Sequence, residues 1–162
     1  MIQKLFFFSF LFFCSCKQEQ KTNQIEKPKV EIEKKVEEIL NDNKKCDIRK
    51  VVSLKKTLPD ASKEFIEAFL STISVDCKNN VEFIQFSNEV LFEVLYSKPM
   101  DVISIMEKEN IIDKNEIYRM LENPINDAVN LKKMINNINK LEIQGTVKKE
   151  ILEALQKALS RY

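Results

Sequence analysis

Residues 65–73 read FIEAFLSTI, an amphipathic pattern in which apolar side chains recur at steps of three and four residues. Residues 80–97, NVEFIQFSNEVLFEVLYS, keep the helical spacing but carry two apolar faces, which is typical of a helix at the centre of a domain. The two faces are Phe83, Phe86, Val90 and Val94, and Ile84, Leu91 and Leu95. Asn79 or Asn80 can cap the start of this helix, and Pro99 predicts its end.

The helical periodicity extends from Val30 to the C-terminus, and no strand-like alternation competes with it. Asp60 is suited to cap the helix after Pro59, Pro124 suits the first turn of a longer helix, and Gly145 marks a turn. We therefore predict an all-α domain over residues 30–162, with about eight short amphipathic helices packed as irregular helical hairpins. The first helix is expected from the stripe Ile32, Val36, Ile39 and Leu40.

A unit of helix, proline break and helix occurs twice in the sequence. The first copy has Val94, Leu95, Pro99, Val102 and Ile103, and the second has Met120, Leu121, Pro124, Ala128 and Val129. Such units are compatible with a HEAT-like stack of helical hairpins. Chance similarity between amphipathic helices explains the same pattern, so both interpretations stay open.

Residues 1–16 read MIQKLFFFSFLFFCSC, in which Lys4 precedes an apolar run from Leu5 to Phe13. A stable transmembrane helix needs about 20 apolar residues, so this shorter run is typical of a signal peptide. A cleaved secretory signal that leaves a soluble protein, or a buried apolar helix of the domain, are the alternatives.

The end of this segment resembles the lipobox of bacterial lipoprotein signals, in which a small residue precedes a cysteine. Ser15 precedes Cys16, whereas choosing Cys14 would place Phe13 at the small position. The resemblance implies cleavage before Cys16, which then carries a diacylglycerol and an acyl chain. It also implies a lipid-anchored protein of the cell envelope, and Lys17 favours the outer membrane if the bacterium has one.

Residues 17–29, KQEQKTNQIEKPK, contain one large apolar side chain, Ile25, which is too little to offset the cost of ordering. We predict a flexible tether over residues 16–29, with a root-mean-square span on the order of 20 Å. The domains are thus a signal peptide at 1–15, a lipidated cysteine and tether at 16–29, and a helical domain at 30–162.

Cys46 and Cys77 are the two thiols that remain after removal of Cys14 and lipidation of Cys16. An even pair in an exported domain predicts a disulfide. The helix layout agrees, because antiparallel helices joined at Pro59 return Cys77 to the end where Cys46 lies. Two reduced buried cysteines, or a metal or redox site, are the alternatives.

The composition excludes several classes of function. The sequence has no His, which removes Ser-His and Cys-His nucleophiles and every His-containing metal site, and its single Gly removes glycine-rich phosphate loops. With 26 basic and 25 acidic residues interspersed, nothing indicates a nucleic-acid partner. We therefore expect a protein that is not an enzyme and has no cofactor and no metal.

The aromatic side chains of residues 83–96 suggest where a partner could bind. Phe92 and Tyr96 lie four residues apart and are offset from the two apolar faces, so they are candidates for a binding surface. The alternative is that these aromatic side chains belong to the core, as helical aromatics more often do. Our leading hypothesis is a membrane-anchored lipoprotein whose helical domain binds an envelope protein. The alternatives are a module that binds a lipid or small ligand, and an anchored inhibitor or immunity protein.

Overall fold

The computed structural model describes residues 40, 42 and 44–161, and over residues 44–161 it contains seven α-helices, one 3₁₀ helix and no β-strand. The α-helices are α1 (Ile48–Thr57), α2 (Lys63–Thr72), α3 (Val81–Ser97), α4 (Pro99–Lys108), α5 (Lys114–Glu122), α6 (Leu131–Asn139) and α7 (Thr146–Leu159), and the 3₁₀ helix is Val75–Asn79. The all-α prediction is confirmed for this part of the chain. The predicted signal peptide, the tether with Cys16, and the helical stripe at Ile32, Val36 and Ile39 lie outside the described residues.

Side-chain caps set most of the helix starts. The Asn80 side chain accepts a hydrogen bond from the backbone N–H of Phe83 at 3.1 Å, so Asn80 rather than Asn79 is the cap of α3 among the two that the sequence allowed. Pro99 follows the end of α3 and occupies the first turn of α4, where a missing N–H has no cost. Asp47, Asp113 and Asn130 cap α1, α5 and α6 in the same way.

Two predicted helix starts were wrong. The helix predicted from Pro124 begins only at Leu131, as α6, and residues 124–130 form an irregular segment. The Asn126 side chain holds a turn there, because it accepts a hydrogen bond from the N–H of Ala128 at 2.9 Å. Ser62, rather than Asp60, occupies the N-cap position of α2, since the intervening Ala61 is buried in the core. The second helix, proline break and helix unit is therefore not formed as the sequence predicted.

Successive helices run in alternating directions. The N–H of Cys46 before α1 donates to the Thr72 carbonyl at the end of α2 (2.8 Å), and the N–H of Val75 donates to Asp113 before α5 (3.1 Å). At the opposite end, Arg161 after α7 donates to the Glu122 carbonyl at the end of α5 (3.1 Å). The connections thus gather at a base, residues 44–47, 73–80, 109–113 and 140–145, and at a distal end, residues 58–62, 97–98, 123–130 and 160–161.

Helix α3 lies at the centre of the domain and packs against α1, α4 and α5. This agrees with its two apolar faces. Its almost fully buried apolar residues are Phe83, Val90, Leu91, Phe92, Val94 and Leu95. Each such side chain contributes about 1.5–3 kcal/mol of burial free energy relative to exposure. Helix α7 completes the core by packing against α4, α5 and α6.

The single glycine of the chain stands where α7 begins. The Glu107 carboxylate from α4 accepts a hydrogen bond from the Val147 N–H at 2.8 Å and so caps α7 from a neighbouring helix. A Cβ on Gly145 would overlap this carboxylate, with the Glu107 Cδ atom only 3.0 Å away. A side chain at position 145 would therefore displace Glu107 from its capping position, and the predicted turn at this position is confirmed.

The predicted disulfide joins Cys46 and Cys77 at the base, with their Cα atoms 5.5 Å apart. Thr72 reinforces the same junction, because its hydroxyl accepts from the Asp47 N–H at 2.7 Å and donates to the Lys44 carbonyl at 3.0 Å. The entry of the chain into α1 is therefore fixed covalently and by hydrogen bonds to the end of the α1–α2 hairpin.

Breaking this bond should lower the free energy of unfolding by roughly 3–4 kcal/mol, since the bond closes a loop of about 30 residues in the unfolded chain. The measurement compares urea unfolding of the oxidised and reduced protein, in a Cys14→Ser, Cys16→Ser background that leaves Cys46 and Cys77 as the two cysteines. Thiol titration of the denatured, unreduced protein should find no free thiol. Two free thiols before reduction would contradict the assignment.

Candidate functional site

The distal end contains an open cleft with a volume of about 550 Å³. Four parts of the chain form its walls: the α1–α2 connection, α3, the irregular segment 124–130 and the first turn of α6. Its main apolar lining residues are Leu58, Pro59, Phe92, Tyr96, Val129 and Met134. The cleft therefore presents an apolar surface in the size range of ligand and peptide sites.

A third stripe of α3 supplies one wall of the cleft. Glu89, Phe92, Glu93 and Tyr96 are spaced at three- and four-residue steps, so they share one face that is separate from the two core faces. The two predicted aromatic residues are thus brought to the same cleft, but they differ in accessibility. Phe92 is 3% exposed and forms the floor, whereas Tyr96 is 43% exposed and forms the accessible edge.

Charged side chains surround this aromatic pair. Lys55 of α1 forms an ion pair with Glu93, while the Lys133 amine of α6 lies 5.2 Å from the centre of the Tyr96 ring, a cation–π distance. Glu89 forms no ion pair with any residue that the structure describes. The cleft thus combines an apolar floor with charges at its rim, including one carboxylate that is available to a partner.

Asn88 fixes the wall formed by the irregular segment. This side chain is 2% exposed and projects from α3 next to Glu89. Its amide donates to the carbonyls of Met120 (3.0 Å) and Asn123 (3.2 Å), and its oxygen accepts from the Ile125 N–H (3.0 Å). One side chain of the central helix therefore bonds three backbone groups where α5 ends and the irregular segment begins, and the Met120 carbonyl also accepts from the Asn123 N–H at 3.1 Å.

Neither the role of Asn88 nor the irregular segment was predicted from the sequence. A buried amide on an apolar helix needs hydrogen-bond partners, so an Asn between Ser87 and Val90 was a signal for a loop contact. The cluster of Asn123, Pro124, Asn126 and Asn130 was a turn signal of comparable strength. Pro124 was instead interpreted as the start of a helix.

Two buried charged groups, Asp47 and Lys50, lie at or beside the base, away from the cleft. The Asp47 carboxylate accepts hydrogen bonds from the side chain and backbone of Arg49, and these bonds lower the pKa of Asp47 despite its burial. Burial also lowers the pKa of Lys50, whose amine donates to the Asp42 carbonyl. These contacts hold the entering chain against α1, which is a structural role.

The described residues offer neither a candidate metal site nor a candidate membrane span. No three His, Cys, Asp or Glu side chains within them are grouped so that they could hold a metal ion. No helix within the described ranges has the length and apolarity required to cross a membrane.

Comparison with protein-family models, with curated proteins and with solved structures found no match to this chain.

Replacing Asn88 by Ala should destabilise the domain by about 2–3 kcal/mol, because the Asn123 carbonyl and the Ile125 N–H lose this partner and the Met120 carbonyl keeps only the Asn123 N–H. Urea unfolding measures this loss, and hydrogen exchange at the Ile125 amide reports the release of the segment. Glu89→Ala is the matched control, since it removes an exposed neighbour on the same helix and should change stability by less than about 0.5 kcal/mol. Equal effects of the two substitutions would contradict the role of Asn88.

Proposed function

We propose that this chain is a bacterial lipoprotein, acylated at Cys16 and held in the cell envelope, whose helical domain binds another envelope protein without catalysing a reaction. The cleft around Phe92 and Tyr96 is the proposed binding surface. If the bacterium has an outer membrane, that is the proposed location. The alternating helices also support a finer proposal, that the domain is an irregular stack of helical hairpins of the HEAT-like kind.

The observation that carries the binding proposal is the Tyr96 edge of the cleft. Aromatic side chains dominate the energetics of protein interfaces, because they bury a large area at a small entropic cost. Tyr96 is accessible, rests beside the buried Phe92 and is surrounded by the charged side chains of Glu89, Glu93 and Lys133. An apolar centre with a charged rim is the usual composition of a protein-binding site.

The contacts within the cleft support binding rather than catalysis. Glu93 is engaged by Lys55, and Lys133 is engaged by the Tyr96 ring. Glu89 is left without a described acid or base partner. A general acid or base must be positioned to exchange a proton with the substrate, whereas Glu93 and Lys133 are directed to contacts within the protein.

The volume of the cleft favours a second candidate, the binding of a small ligand. A volume of about 550 Å³ is sufficient for a compact organic molecule. The accessible Tyr96 and the four separate walls favour an extended peptide segment over an acyl chain, which requires an enclosed apolar cavity. The two candidates differ in what purification should recover. A small ligand bound in the cleft would copurify with the protein, whereas binding of a peptide segment does not require copurification.

A photocrosslinking residue in place of Tyr96 should trap a discrete protein partner in intact native cells, because the side chain at this position would lie within the interface. The same residue in place of Lys149, exposed on α7, is the matched control. Mass spectrometry identifies the products. Identical products from both positions, or no protein product from Tyr96 alongside a copurified small molecule, would reject the protein-binding proposal.

Cys16→Ser should abolish acylation and release the protein from the membrane fraction, since several acyl chains on one residue provide stable anchoring. Mass spectrometry of protein from native cells should find a chain that begins at Cys16 and carries the mass of lipid. Cys14→Ser is the control and should leave both properties unchanged. A Met1 to Ser15 leader retained on the protein would contradict the anchoring proposal.

A further inference from the structure

The exposed large apolar side chains of the described residues fall into two groups at opposite ends of the domain. Three of them, Tyr96, Met100 and Ile125, lie at or beside the distal end, close to the cleft. The other three, Val75, Val81 and Ile111, lie at or beside the base, with 55%, 62% and 55% of their surface exposed. The second group has no part in the cleft.

The base group is held on a fixed backbone. The Lys45 amine donates to the carbonyls of Ser71 (2.6 Å) and Ile111 (3.1 Å), so it joins the end of α2 to the α4–α5 connection. The N–H of Val75 donates to the Asp113 carboxylate at 3.1 Å, which joins the same two connections again. Val75 and Ile111 therefore lie on neighbouring, mutually bonded turns, and their exposure needs no rearrangement.

The chain that leads back to Cys16 leaves the domain at this same end. The Asp42 carbonyl accepts from Lys50, and the Lys44 carbonyl accepts from Thr72, so the last described residues before α1 are fastened to the base. The cleft lies at the other end of α3, whose 17 residues span about 25 Å. An attachment through the first 39 residues would therefore connect to the domain at the base and not at the cleft.

We propose that the base rests on the surface of a lipid bilayer, with Val75, Val81 and Ile111 inserted at the boundary between headgroups and acyl chains. The orientation would direct the cleft away from the membrane, toward a partner. This proposal relies on the anchoring part of the proposed function, because the anchor supplies the high local concentration that a small apolar contact requires.

The charges of the base indicate which lipids are needed. The base connections carry four basic residues and five acidic ones, so this surface has no excess of positive charge. The basic residues are Lys44, Lys45, Lys78 and Lys140, and the acidic residues are Asp47, Asp76, Glu109, Asp113 and Glu142. An electrostatic contact would require such an excess. The contact should therefore be apolar, equally strong on zwitterionic and anionic bilayers, and weakly dependent on salt.

The absence of Trp from the sequence allows a direct test. The chain from Cys16 onward is coupled through the Cys16 thiol to a maleimide lipid in phosphatidylcholine vesicles, with a single Trp introduced as Ile111→Trp or Val75→Trp. Met100→Trp, exposed beside the distal end, is the matched control. When the protein is tethered, the emission of Trp at position 111 or 75 should shift to shorter wavelength, and lipids with brominated acyl chains should quench it. Trp at position 100 should show neither effect.

A charged double variant, Val75→Asp with Ile111→Asp, should abolish the quenching of a reporter at Val81→Trp, and circular dichroism verifies that this variant is folded. The proposal would be overturned if the Trp residues on the base showed neither an emission shift nor quenching on the tethered protein. Quenching of Met100→Trp equal to that of the Trp residues on the base would overturn it as well. Because the tether is made chemically, such a result leaves acylation of Cys16 in cells and crosslinking at Tyr96 unaffected, so failure of this inference is distinguishable from failure of the proposed function.

Discussion

Burial of α3 on two faces is the constraint on which the rest of the structure depends. A helix that carries apolar residues on two sides must be covered on both, and here α1, α4 and α5 all pack against it. The residues that meet these neighbours, Val90, Leu91 and Val94, have no exposed surface. The up-and-down order of the helices follows, because short connections can place neighbours around a central helix only by reversing direction.

The same constraint produces the cleft. With two faces buried, the third stripe of α3 is left between the α1–α2 connection and the start of α6, and neither covers it fully. Asn88 lies beside this stripe and fastens the end of α5, so the wall opposite the α1–α2 connection is held by the central helix itself. One helix thus determines both the stability of the domain and the shape of its candidate binding surface. It also separates this surface from the base, where the disulfide secures the entering chain.

The parts of the fold that depend on local periodicity could be predicted from the sequence. The two-faced character of α3, its Asn80 cap, and the pairing of Cys46 with Cys77 all follow from spacing or from the length of one hairpin. The start of α6 and the role of Asn88 could not, because they depend on which side chain from a distant helix meets the backbone of residues 120–125. The structure brings Phe92 and Tyr96 to one cleft, but spacing along one helix could not show that Phe92 would form a floor and Tyr96 an edge. Pro124 was misassigned because the preference of proline for a first helical turn is weaker than the side-chain turns formed by the neighbouring asparagines.

Native-state hydrogen exchange of the oxidised protein tests most directly whether α3 is the central element. If it is, the amides of residues 91–95 exchange only through global unfolding, so their free energy of exchange equals the free energy of unfolding measured with urea. The amides of the segment 124–130 should exchange at a lower free energy, through local opening. Exchange of residues 91–95 at a lower free energy than the amides of α1 or α7 would contradict the account.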